Sequence, residues 1–234
     1  MRSQPGPPPR ATAAGTVRLL SVNVSPPREL GRIVSGGRDV AVLSGIAKRP
    51  VAAGSLSLDW ENLEGDGQAD LRVHGGRDKA VYAYPADHWP AWSEEEGRDF
   101  GPASFGENLT VAGITEGAVC IGDVWAWGEA RLQVSQPRGP CFKLEMHTGR
   151  PGMIERMRAN GRTGWYFRVL QPGRVPVAGP LRVVERHPAG VSVLRAHLAT
   201  VPGGMSDAER RAILRETPLA AAWQRPIRGR LAAD

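Results

Sequence analysis

The chain of 234 residues is 41% hydrophobic and 23% charged, enough to bury a core and too regular in composition for a collagen-like or disordered protein. Its net charge of +6 favours anionic partners, but Lys and Arg are scattered, with no run of five or six and no zinc-finger or RNA-binding pattern, which argues against nucleic acid. Two cysteines, no signal-type N-terminus and no apolar run near ~18 residues argue against a disulfide scaffold and a membrane span, so the expected compartment is the cytoplasm.

Residues 1–15 (MRSQPGPPPRATAAG) read as a disordered leader, with no large apolar residue after Met1. The body opens at Val17 with the β-leaning run VRLLSVNVS, stopped by Pro26 and Pro27. Further β-leaning pieces follow at Arg38–Leu43, Val51–Leu58, Asp70–Val73, around Val111, and at Ile121–Trp127, Arg131–Val134, Tyr166–Leu170 and Leu181–Glu185. With 29 Gly and 20 Pro punctuating them, these many short strands predict a mainly β barrel or sandwich. Two helices are expected in the body, at Ala86–Glu96 and Gly152–Ala159. After about Val191 the pattern turns helical: VSVLRAHLAT, then SDAERRAILRE with Ser206 as N-cap and Glu209 three residues on, then PLAAAWQRPIR. The organisation read from the sequence is a barrel domain at 16–190 followed by a small three-helix segment at 191–234.

Chemistry concentrates in four stretches. In SQPRGPCFKL (135–144) a β-leaning run ends in a loop stiffened by two prolines, and the loop presents Cys141 between Arg138 and Lys143. Neighbouring cations favour the thiolate, the form that binds a soft metal or attacks an electrophile. Burial as a small apolar side chain is the competing reading, and it is the preferred one for Cys120, which sits among apolar neighbours. In VHGGRDKAVY (73–82) Gly75 and Gly76 allow close backbone approach to an anion, and Arg77 and Lys79 add charge; His74 is open to service as ligand, base or plain hydrogen-bonding group. In FGENLT (105–110) Glu107 and Asn108 could orient a heterocycle or only hold a turn. In GRTGWY (161–166) Arg162 and Thr163 offer a cation and a hydroxyl beside aromatic rings, which suits a phosphate or a purine-like ring, although a surface turn has the same composition. The acidic run EGDGQAD (64–70) lacks the later bidentate Glu of a calcium loop, and no G-x-S-x-G element supports a hydrolase.

Taken in order, EGDGQAD, VHGGRDKAVYAYP, FGENLT, IGD, VSQPRGPCFKL and GRTGWYFRVL resemble the MOSC family, and most of all its stand-alone bacterial YiiM-like branch. The resemblance spans most of residues 17–186; Glu64 stands where Asp is usual, and Tyr82 where His is frequent. It implies a MOSC-type β-barrel with a few helices and a cleft for the pyranopterin molybdenum cofactor (Mo-molybdopterin), with a chemistry independent of pyridoxal phosphate. The family's cysteine corresponds to Cys141, which would give its sulfur to molybdenum. Lys79, Arg138, Arg162 and the His74-Gly75-Gly76 turn are the candidates for the cofactor's phosphate, and Asn108 and Thr163 for the pterin edge.

The branch is associated with reduction of N-hydroxylated compounds such as hydroxylaminopurines. The sequence has no iron–sulfur or dinucleotide-binding motif, so a separate electron-donating reductase carrying a flavin or iron–sulfur group is the expected partner. A non-catalytic cofactor carrier or sulfur-transfer protein, and a metal-free phosphate-binding protein, are the competing functions. Oligomeric state, including a homodimer, is left open.

Overall fold

A computed structural model describes residues 16–52, 54–69 and 75–231. The expected leader at 1–15, the expected strand at 70–73 and His74 lie outside the described residues. In chain order the elements are β1 (Thr16–Val24), β2 (Arg28–Ser35), β3 (Arg38–Ser44), β4 (Arg49–Pro50), β5 (Ser55–Leu58), β6 (Val81–Pro85) and α1 (Trp89–Glu96). There follow β7 (Leu109–Ala112), β8 (Val124–Trp127), β9 (Ala130–Pro137), α2 (Phe142–Thr148), α3 (Met153–Asn160), β10 (Trp165–Gln171), β11 (Gly173–Pro176) and β12 (Pro180–Glu185). The tail holds α4 (Val193–Leu198), α5 (Asp207–Glu216) and α6 (Ala221–Leu231).

The mainly β reading holds, and the sheet is closed. Its order runs β12-β8-β9-β10-β6-β7-β1, and β1 pairs back onto β12, so seven strands make a barrel with β4 appended to β1. Closure removes the free edges that an open sheet exposes. All ladders in the barrel are antiparallel except β6–β7, whose parallel pairing requires the long excursion through α1.

Period-two alternation sorts the side chains. Val81 and Ala83 of β6, and Trp165, Phe167 and Val169 of β10, point into the barrel core with Trp125, Leu132 and Val134. Trp125 packs edge-on against Phe167 at 5.3 Å between centroids. The alternate residues Tyr82 and Tyr84 join a second cluster outside the barrel, with Trp92, Phe100, Phe105, Leu144, Met153 and Met157. That cluster buries the inner faces of α1, α2 and α3 against the wall.

Several elements differ from the sequence reading. Residues 51 and 52 lie outside the strand expected over 51–58, which begins at Ser55, and Ile121–Asp123 form a turn ahead of β8. Strand β6 and helix α2 carried no advance signal: β6 is buried on both faces and so shows no alternation of polarity, while α2 is barely two turns long. Strands β2 and β3 form a hairpin with no third strand, and its polar residues are what a mostly exposed two-stranded ribbon tolerates. In the tail, the expected capping box is present, with Ser206 and Glu209 closing it. The tail also shares the barrel's core: Val193, Ala196, Ile213, Leu219 and Ile227 belong to the same buried cluster as the strands.

Candidate functional site

A cleft opens on the outer side of β6 and β10, where four connections converge. It is lined by Ser44–Ile46 and Lys48 after β3, by Asp66–Ala69 after β5, and by Lys79–Ala80 ahead of β6. Gly106 and Asn108 before β7, Arg138, Gly139 and Cys141 after β9, and Lys143 complete it, with Tyr82 and Tyr166 as its wall.

The tyrosines are there because of register. Tyr82 and Tyr166 are direct cross-strand partners on the outward phase of β6 and β10, and their rings lie 5.1 Å apart. The Tyr82 hydroxyl donates to the Thr163 carbonyl at 2.8 Å. Burial pushes the pKa of both phenols up, so they stay neutral hydrogen-bonding groups.

Cys141 is the N-cap residue of α2, half-buried at the cleft and with its backbone extended. The charge of its sulfur acts on Lys79 and on Arg138, which places both cations in its immediate electrostatic field. Cys120 is remote from the cleft lining, and burial and the Asp123 carboxylate push its thiol up to about 11. Of the two thiols, the one in the cationic cleft is the one suited to metal binding.

Arg138 is the most telling side chain. It is 5% exposed, and among the described residues no carboxylate forms an ion pair with it. Its guanidinium lies over the Tyr82 ring at 5.3 Å and contacts the Met157 sulfur at 3.7 Å. A buried guanidinium stays charged and is costly to leave without an anion. Lys79 is also on the lining, its pKa lowered by burial against the opposing pull of Asp78 and Cys141.

Lys48 was marked by no motif and Asp66 lay in the EGDGQAD run without being assigned to the site, yet both line the cleft. They form a short ion pair with side chains only 8% and 6% exposed. Burial lowers the Lys48 pKa, with Asp66 opposing. Asp66 is a hub: it also accepts from the Ser25 backbone N–H at 3.0 Å and from the Asn108 amide at 2.8 Å. The loops here approach so closely that a Cβ on Gly106, whose φ is +78°, would sit 2.4 Å from Ile46 Cγ1.

The remaining sequence candidates divide. Asn108 is on the lining, but its amide is committed: Oδ1 accepts from the Tyr82 N–H at 3.0 Å, and Nδ2 donates to the Asn23 carbonyl and to Asp66. Glu107 is fully buried behind it, accepting from the Ala103 and Phe105 N–H groups and from the Thr110 hydroxyl, and burial pushes its carboxyl up to about 7. Gly75 and Gly76 are not on the lining, and the Gly76 N–H is taken up by Oε1 of the lining residue Gln68 at 2.9 Å. His74 lies outside the described residues.

Arg162 and Thr163 are not among the described residues that line this cleft. The Arg162 guanidinium pairs with Glu95 at 2.6 Å and stacks over Trp92, and the Thr163 hydroxyl donates to the Gly164 carbonyl at 3.0 Å. Their loop serves the site through its backbone, since the carbonyls of Arg162 and Thr163 receive the Tyr84 and Tyr82 hydroxyls. The buried Glu116 anchors the same loop, accepting from the Gly164 N–H at 2.6 Å and bonding His88 at 2.7 Å.

Among the described residues no group of three or more His, Cys, Asp or Glu could hold a metal ion by protein ligands alone. A metal here would bring most of its ligands with it, as a dithiolene cofactor does, and need one protein sulfur and a cationic seat for a phosphate. Cys141, Arg138 and Lys79 supply that set, so the residues fit the group.

A barrel with one thiol in a cationic cleft is the architecture of a small-molecule or cofactor site. The MOSC domain family model matches residues 70–182, and the chain belongs to the MOSC family. Within it, the chain is 45% identical to the uncharacterized protein YflK of Bacillus subtilis over 206 residues, 88% of this chain and 90% of that one. It is 38% identical to protein YiiM of Escherichia coli, covering 80% of this chain and 84% of that one. The crystal structure of YiiM from Geobacillus stearothermophilus superposes with a TM-score of 0.75 at 34% identity, over 92% of this chain and 99% of that one. A protein of Gibberella moniliformis named Reductase is 34% identical over 160 residues, which are 67% of this chain and 28% of that longer protein. Among the described residues no helix is long and apolar enough to cross a membrane.

Proposed function

We propose that this chain is a molybdenum-cofactor-dependent reductase of N-hydroxylated small molecules, working in the cytoplasm with electrons from a separate reductase. The observation that carries the reading is the pairing, in one cleft, of the Cys141 thiol with the buried Arg138 guanidinium that no described carboxylate balances. Membership of the MOSC family supports the cofactor, and the longer fungal relative named Reductase supports the reaction class.

When bound, the cofactor supplies the transfer of two electrons that, with two protons, converts an N-hydroxylamine to an amine and water. The chain supplies the seat. Cys141 gives its sulfur to the metal, and Arg138 and Lys79 hold the phosphate by charge-assisted hydrogen bonds. Tyr82 and Tyr166 form a flat wall against which a ring can lie, and the neutral Tyr166 hydroxyl can hold a proton at the cleft surface. Lys48 and Asp66 add a buried ion pair to the cleft lining.

The test is to express wild type and Cys141→Ala in a host that makes the cofactor, purify both anaerobically, and measure molybdenum per chain. Hydroxylaminopurine reduction with a chemical reductant is then followed on the loaded wild type. Metal in the wild type, its loss in the variant and turnover are expected. Metal without turnover would replace the reductase reading with a cofactor carrier. A folded wild type without metal, from a host shown to supply it, would leave a metal-free phosphate-binding protein.

A further inference from the structure

The C-terminal segment is joined to the back of the cleft at three points. The Trp223 ring of α6 rests against the Cys141 loop, where a Cβ on Gly139 would lie 3.4 Å from Trp223 Cζ3. The indole is itself fixed, since Nε1 donates to the Ala196 carbonyl of α4 at 3.0 Å. Ahead of α6, the Ala220 N–H donates to the Ser135 carbonyl of β9 at 3.0 Å, and the Ser135 hydroxyl bonds the Asp78 carbonyl at 2.6 Å. Arg168 of β10 completes the frame: one nitrogen donates to the Pro218 carbonyl at 2.9 Å, and Nε pairs with Asp78 at 2.6 Å.

We propose that the C-terminal segment is part of the site, and that Trp223 is a positioning residue that holds the Gly139–Cys141 turn so that the sulfur faces the cleft. The loop needs such a support. Gly139 offers no side chain of its own to pack, and helix α2 beyond Cys141 spans only seven residues. Prolines stiffen the loop internally but do not fix where it points. The flat indole supplies a rigid surface behind the glycine, while Ala220 and Arg168 tie the same segment to Ser135 and to Asp78 beside Lys79. The thiol and one of the cleft cations are thereby referenced to one frame.

The inference deepens the proposed function by assigning the tail to the same cleft, and its main readout does not depend on molybdenum. Metal-free full-length wild type, Trp223→Phe and Trp223→Leu are labelled with iodoacetamide, and each thiol is quantified by peptide mass spectrometry. Cys120, half-buried and away from the cleft, is the internal reference. In Trp223→Leu the Cys141 rate is expected to rise by about tenfold, the ratio that ~1.4 kcal/mol of lost restraint corresponds to, with Cys120 unchanged. Trp223→Phe, which keeps a flat ring, should fall between the two. In cofactor-supplying cells, molybdenum per chain should fall in the same order. An unchanged Cys141 rate in Trp223→Leu overturns the proposal. So does a parallel rise of both thiols, which would make Trp223 a contributor to global stability only. Loss of the labelling effect with metal present in the wild type would sink this inference alone; absence of metal from the wild type would sink only the functional reading.

Discussion

The Asp66→Asn substitution probes the buried ion pair on the cleft lining. Lys48 and Asp66 are nearly inaccessible, so water does not screen them, and the amide would leave Lys48 as a buried ammonium without its carboxylate. Breaking one member of a buried pair costs about 3–5 kcal/mol. The lower end applies here, because Glu107 also acts favourably on Lys48 and the new Asn keeps one oxygen for the Ser25 N–H. A loss of about 3 kcal/mol in a chain of this size lowers the melting temperature by roughly 6–12 °C. The companion variant Lys48→Met with Asp66→Asn removes the stranded charge and should recover at least about half of the loss, read as a coupling energy in a double-mutant cycle. Differential scanning calorimetry on the four proteins gives the answer. A single variant within ~1 kcal/mol of wild type, or a double variant no more stable than Asp66→Asn, would refute the account of the pair as a buried, mutually dependent unit.

Glu107 gives a pH dependence of opposite sign to the usual carboxylate. Its folded-state pKa is raised to about 7, so the folded chain holds a proton that the unfolded chain has released. Stability from this group is full below the unfolded value of ~4.3 and is lost as pH rises through about 7, by about 3 kcal/mol in total. Urea titrations at acid and neutral pH should show that fall in wild type and not in Glu107→Gln; equal pH slopes would contradict it. Arg138→Met removes a buried charge that no described carboxylate balances, so the metal-free protein should melt no lower than wild type while cofactor retention falls about 10- to 100-fold. Arg162→Ala, off the cleft lining and paired with Glu95 on the surface, should change stability by less than ~1 kcal/mol and leave retention intact. Equal losses in the two arginine variants would mean that the cleft has been drawn in the wrong place.

The sequence by itself determined the mainly β class, because short apolar runs cut by Gly and Pro admit few other solutions, and the tail helices, because Ser206 and Glu209 close their box within four residues. It also determined that Cys141 differs from Cys120, since the prolines and cations flanking Cys141 are local. What lay beyond it were relations between distant segments. Lys48 carries no motif, and only the folded loops bring it to Asp66. Tyr166 looks like an ordinary strand residue until the β6–β10 register sets it beside Tyr82, which the family resemblance alone had marked. Arg162 has the composition of a phosphate ligand, yet in the fold its guanidinium pairs with Glu95, 67 residues earlier. Periodicity and turn chemistry act within a few residues and are written in the local sequence. Burial, charge balance and the direction in which a side chain points depend on partners far along the chain, and closing the barrel is what brought those partners together.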